Sequence, residues 1–228
     1  MMHRLRSNFW RYCGYSAALN LLFVVVYGGA NFLADRAAQG MPLVQGLQPG
    51  YVSQFQFNWE LALPFVPGFI FVYYSISLLL LAPLITLERR ELKPFAQAFA
   101  WATVTAGFVF VLHPMRLGFE RPKSVAGYEV FYAALYDLDL PYNMAPSLHV
   151  AYSCLTVLAA ARGKARWVHT VLWLWLAAIV ASVLLTHQHH IIDAITGLML
   201  GYAYYFAYLR WCSKTRNSAS PFNAGSPA

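Results

Sequence analysis

Two short polar clusters interrupt an otherwise apolar chain: Pro146-Ser147-Leu148-His149 and His189-His190-Ile191-Ile192-Asp193. A histidine or carboxylate facing hydrocarbon must find a partner or line a wet cavity, so these residue types inside apolar stretches mark a site. Imidazoles beside a hydroxyl and a carboxylate suit proton transfer and nucleophilic attack. Two other readings stay open on the residues alone. His187, His189, His190 and Asp193 are spaced closely enough to ligate zinc, and His149 and His189 could be satisfied polar residues bridging helices. Arg116, Arg121 and Lys123 fall together in one eight-residue stretch. With Pro146-Ser147 reading as a helix start, they outline an anion site, because Arg offers a fixed fork of donors and a helix N-terminus offers free amides.

Composition decides what must carry these residues. The 228-residue chain is 59% hydrophobic and 11% charged, with a mean hydropathy of +0.48, which lies outside the range of a soluble domain. We expect an all-α, polytopic membrane protein: one six-helix bundle over residues 1–216 and a disordered tail at 217–228. Between Arg11 and Asp35 lie 23 uncharged residues, and between Glu60 and Glu88 lie 27; a span needs about 20. Span three fits between Lys93 and Arg116, and span five between Arg166 and His187. Spans four and six are short, with 12 residues from His149 to Arg162 and 16 from Asp193 to Arg210. Both helices are therefore expected to begin above those polar residues, leaving His149, His189 and Asp193 in a pocket below the membrane surface.

Twelve of the sixteen basic residues fall before span one, between two and three, between four and five, and after six. The positive-inside rule assigns that side, with both termini, to the cytoplasm. Arg116, Arg121, Lys123, Ser147, His149, His187, His189, His190 and Asp193 then share the opposite side. The net charge of +7 reports topology rather than nucleic-acid binding.

Arg121-Pro122, Pro146-Ser147-Leu148-His149, and Ser182 followed by His189 and Asp193 resemble the three signature motifs of the type 2 phosphatidic acid phosphatase superfamily, over roughly residues 95 to 210. That superfamily also contains lipid phosphotransferases. The resemblance implies that His189 is the nucleophile, Asp193 its orienting carboxylate and His149 the general acid, with Arg121 and Ser147 holding phosphate and Arg116 and Lys123 assisting. It implies neither metal nor cofactor. Three positions depart from the pattern: Pro114 stands in place of a lysine, Leu148 in place of a glycine, and Val183 in place of the arginine after Ser182. The phrase Thr186-His187-Gln188-His189-His190 is similar to the branch that includes inositol phosphorylceramide and sphingomyelin synthases, which also lack that arginine.

Such chemistry needs no metal. A neutral His189 would attack phosphorus, Asp193 at i+4 would fix its tautomer, and His149 would protonate the leaving oxygen and then activate the acceptor. Hydrolysis of a lipid phosphate or diphosphate is the first reading. Transfer of a phospho-headgroup from a phospholipid to a lipid alcohol is the alternative. A non-enzymatic transporter with a histidine proton relay is the reading from another class.

The remaining features read as structural. Cys13, Cys154 and Cys212 show no pairing and are expected as free thiols. The basic N-terminus precedes an apolar stretch long enough for an uncleaved anchor. Residues 36–58 and 124–145 are the long external loops. In the second, Asp139 and Asn143 stand just before Pro146 and could shape the pocket, with a turn role as the first reading, and Tyr128, Val130, Phe131, Ala134 and Leu135 suggest an amphipathic helix covering the site.

Overall fold

The computed structural model describes residues 2–39 and 52–218, and among these the elements are helical apart from one isolated parallel bridge between Ser53 and Met115. The first span is α1 (Met2–Phe23), continued through a π-helical turn (Val24–Gly28) into α2 (Gly29–Ala38). The second is segmented into α3 (Ile70–Tyr74), α4 (Ile76–Leu79) and α5 (Ala82–Thr86). Pro83, which has no amide to donate, opens α5. Trp175 Nε1 donates to Ser75 Oγ at the first break, at 2.8 Å. Then follow α6 (Leu92–Leu112), α7 (Glu129–Leu138), α8 (Leu148–Ala161), α9 (Arg166–Leu185) and α10 (Ile191–Ser218). The residue before Pro114 ends α6, as a pre-proline position disfavours helix.

Every predicted interval holds helix, but the elements are not six equal spans. Among the described residues, four runs are long and apolar enough to cross a membrane by length and composition: Asn8–Ala38, Pro67–Thr86, Leu92–Leu112 and Arg166–Leu185. The short fourth element, α8, is the centre of the bundle, with eleven of its 14 residues buried. A helix sheathed by others need not match the full hydrocarbon thickness. Its closest partner is α10, and two glycines permit the approach. A Cβ at Gly197 would lie 2.5 Å from the Ser147 carbonyl oxygen, and one at Gly201 would lie 2.7 Å from that of Ala151. This small-xxx-small spacing brings the helix backbones together.

The expectation that the fourth and sixth helices begin above the polar residues is corrected. Ser147 caps α8, accepting from Val150 N at 3.4 Å, so that helix starts one residue before His149. The chain turns through His187 at φ 53°, with the amides of Gln188 and His189 both donating to the Val183 carbonyl at 3.0 Å, and α10 starts only at Ile191. Asp193 completes the start of α10: its Oδ2 accepts the His190 amide at 2.8 Å, the acidic half of a capping box. His149 and Asp193 thus sit in the first turns of α8 and α10, and His189 lies in the turn before α10.

The basic loops gather at the other end, as their charge pattern implies. Arg162 pairs with Glu91, Lys164 Nζ donates to the Thr86 carbonyl, and Asn8 donates to the Leu87 carbonyl. The expected amphipathic helix forms as α7, but its buried face is Tyr132 and Leu135, while Val130 and Leu138 point outward. Cys13, Cys154 and Cys212 form no disulfide. Of the expected tail, residues 217 and 218 extend α10 and the rest lies outside the described residues, as does most of the 36–58 loop.

Candidate active site

Four pieces of chain converge at the non-basic end: the N-terminus of α8, the turn leading into α10, the loop after α6, and the end of α7. His149 and His189 both line one cavity. Nδ1 of His189 lies 3.4 Å from Oδ2 of Asp193, the oxygen that also accepts the His190 amide. That separation is long for a hydrogen bond, as is common in catalytic pairs without substrate. Asp193 is fully buried, and its main-chain oxygen accepts the Ser147 amide at 3.0 Å. One residue thus ties the first turn of α10 to the first turn of α8.

His149 stacks on Tyr73 of α3, with centroids 4.0 Å apart and planes 27° from parallel. Its Nε2 is buried without a hydrogen-bond partner, as are Nδ1 of His189, Oδ1 of Asp193 and Nε of Arg121. Unpaired polar atoms are costly in a low-dielectric interior, so their concentration here marks groups kept for a ligand. Arg121 is held by its two terminal nitrogens: Nη1 donates to the Asp139 carbonyl at 2.5 Å and Nη2 to Gln188 Oε1 at 3.4 Å, with the guanidinium 4.8 Å over the Tyr136 ring.

The structure brings together His149, His189, Asp193, Ser147 and Arg121. Ser147 is buried with its hydroxyl turned to its own helix, where it caps rather than faces the cavity. Arg116 and Lys123 are not brought in; both are exposed, and Arg116 Nε donates to Gln54. Arg116 follows Met115 and precedes Leu117, both buried, on extended backbone whose side chains alternate direction. Pro114 offers only its carbonyl, to Ser53. Val183 is buried in the apolar cluster that includes Tyr73 and Val150. Nor do the described residues assemble a metal-ligating group: His187 bonds the Leu63 carbonyl and stacks on Phe119, while His190 pairs with Glu60.

Three further residues line the cavity, and of these Tyr27 and Tyr73 had no sequence signal of their own. Asp139, expected as a turn residue, lines the cavity, and its carboxylate accepts from Tyr27 at 2.6 Å. Burial pushes its carboxyl above the usual range, against the pull of the Tyr27 hydrogen bond and of the Arg121 and His189 charges. Tyr27 and Tyr73 come from the π-helical turn of the first span and from α3, more than seventy residues from His149. The cavity holds about 640 Å³ and runs from His149, His189 and Asp139 to Tyr12, Leu80 and Leu92 near the basic end. Its lining residues on the first span reach from Tyr12 to Tyr27, about 22 Å at 1.5 Å per residue. Its wall is largely apolar, with Phe23, Phe95, Phe99 and Tyr152 among its residues. Two imidazoles therefore line one end of a long, largely apolar chamber, and an anchored guanidinium is bonded to Gln188, the neighbour of one of them.

The profile described as PAP2 superfamily matches residues 95–217, more than half of the chain. A curated relative, phosphoinositol dihydroceramide synthase of Bacteroides thetaiotaomicron, is 28% identical over 52% of this chain. The alignment covers 47% of the relative, so the chain spans about half the length of the curated protein it matches. No solved structure matches.

Proposed function

The chain belongs to the PAP2 superfamily, and from that premise we propose that it is a membrane enzyme moving a phospho-headgroup from a phospholipid to a lipid alcohol through a phosphohistidine at His189. The observation that carries this reading is the apolar chamber of about 640 Å³ opening directly onto His149 and His189, since it suits a lipid chain whose polar end meets the two imidazoles.

Nε2 of His189 attacks phosphorus while Asp193 holds the Nδ1 proton and steadies the imidazolium that forms. The bond from phosphorus to the leaving oxygen breaks as His149 donates its proton to that oxygen. His149 then takes the proton of the incoming alcohol, whose oxygen displaces His189 from phosphorus. Arg121 balances the charge on the non-bridging oxygens.

Charge favours a diester donor. Arg121 is the cation bonded to the His189 turn through Gln188, while Pro114 and Val183 replace the expected cations and Asp139 adds negative charge nearby. A singly charged phosphodiester suits that balance better than a doubly charged monoester. The synthase named among the relatives agrees with this choice. Hydrolysis of a lipid phosphate or diphosphate, with water as the acceptor, is the second reading, in keeping with membership of the PAP2 superfamily. The clustering of basic loops at the far end supports cytoplasmic termini and a site on the opposite side.

The test supplies purified protein in detergent, with chelator, with headgroup-labelled phospholipid, with or without ceramide or diacylglycerol, and in parallel with labelled phosphatidic acid. Transfer predicts a new labelled lipid only when alcohol is present. Hydrolysis predicts free phosphate without it. His189→Ala and His149→Ala should each lower turnover by about 10²–10⁴-fold while keeping the unfolding midpoint; full activity in both would refute the assignment.

A further inference from the structure

A second histidine–carboxylate pair lies directly beside the first and takes no part in the chemistry above. Glu60 and His190 are 0% and 1% exposed, and Nδ1 of His190 is 2.9 Å from Oε2 of Glu60. The Gly118 amide donates to Nε2 of the same ring at 3.0 Å. An imidazole nitrogen that accepts an N–H carries no proton, so Nδ1 carries it and donates it to Glu60. Phe119 stacks on the ring at 4.7 Å and 17°. Both ring nitrogens and a ring face are committed, and His190 does not line the cavity.

Its backbone does reach the site. The His190 amide donates to Oδ2 of Asp193 at 2.8 Å, and that oxygen lies 3.4 Å from Nδ1 of His189. A buried chain therefore runs from the Glu60 carboxylate to the His190 ring, from the His190 amide to the Asp193 carboxylate, and from there to His189. Glu60 belongs to the short 3₁₀ turn Asn58–Ala62 before the second span, and no local geometry requires a carboxylate there. Without Glu60 the His190 ring would keep only the Gly118 contact and the stack, and the amide that aims Asp193 would lose its fixed reference.

We propose that Glu60 is a positioning residue for the reacting histidine: acting through His190, it sets the Asp193 carboxylate against His189. The proposal rests on the reading of His189 as nucleophile. A misplacement of 1 Å far from the chemistry can cost about 10²-fold in rate, which bounds the effect.

The experiment compares Glu60→Ala with Glu60→Gln, whose amide oxygen can still accept the Nδ1 proton, in the wild type and in Asp193→Asn, using the transfer or hydrolysis assay above. Expected are a loss of about 10- to 100-fold in kcat for Glu60→Ala, an unchanged KM, recovery in Glu60→Gln, and little further loss when Asp193→Asn is already present. Equal losses in both backgrounds, or a change in KM alone, would overturn it. If Glu60→Ala does not fold, Glu60→Asp, which withdraws the carboxylate by one methylene, takes its place in the same comparison. Ring ¹⁵N spectra of histidine-labelled protein separate this proposal from the functional reading. A wild type that turns over no lipid refutes the function, whereas His189 ring resonances that do not move in the Glu60 variant refute the link.

Discussion

Replacing Gly197 by alanine tests whether the close approach of α8 and α10 sets the spacing of the two imidazoles. The new Cβ would meet the Ser147 carbonyl oxygen at 2.5 Å and the Val150 Cβ at 3.1 Å. The first of these is backbone at the very start of α8, so no side-chain rotation relieves it. Recovering ordinary van der Waals separation means moving the helices apart by about 1 Å. Small-to-large changes in tight packing cost about 1–3 kcal/mol, and each kcal/mol lowers the midpoint by about 2–4 °C in a chain of this size. Because Ser147 is tied to Asp193 and His149 lies two residues on, the same displacement separates His149 from His189 and, under the proposed mechanism, should slow turnover by about 10- to 100-fold. Gly201→Ala is the control. Its Cβ would meet the Ala151 carbonyl at 2.7 Å and Cys154 Cβ at 2.7 Å, a similar clash one turn further from the histidines. It should lose comparable stability with a far smaller loss of rate. The reasoning fails if Gly197→Ala turns over lipid at the wild-type rate, or if Gly201→Ala slows it equally at matched stability.

Two other perturbations address the cavity. Ala96→Phe, partway along the chamber wall, should weaken binding of long-chain lipids by about fourfold for each methylene it excludes, at about 0.8 kcal/mol per buried methylene. Short-chain analogues should be unaffected, as a series of donors of increasing chain length would reveal. Asp139→Asn should raise the unfolding midpoint at neutral pH while lowering activity. The carboxyl is raised in the folded state, so its stability penalty is fully present above its folded pKa and vanishes below the ordinary carboxylate range. The gain measured by thermal unfolding should therefore disappear as pH falls; a gain that persists in acid would refute the burial argument.

Membrane class, helical architecture and the superfamily were legible in the sequence, because each depends on local chemistry, and the residues proposed to react are ones that the sequence already singled out. Long uncharged runs can only be spans, and His149, His189 and Asp193 sit in apolar surroundings where such residues need a purpose. Arg121 was legible for the same reason. Arg116 and Lys123 were not separable from it, since one-dimensional proximity does not reveal which way extended backbone points; Met115 and Leu117 take the inner positions and leave Arg116 outside. Helix starts were misplaced because a span-length argument ignores that α8 is sheathed by protein and can be short.

Sequence by itself determined the kind of molecule and the chemical vocabulary of its site. Tertiary structure alone decided how the site is held and what it faces. Glu60 meets His190 across 130 residues and Tyr27 meets Asp139 across 112, and the chamber wall is assembled from α1, α3, α4, α6, α7 and α8 and their connections. Hydropathy and motif spacing are properties of neighbours along the chain, whereas a buried carboxylate's partner and a cavity's shape arise only when distant segments pack, where burial makes each unpaired polar group costly enough to select one arrangement.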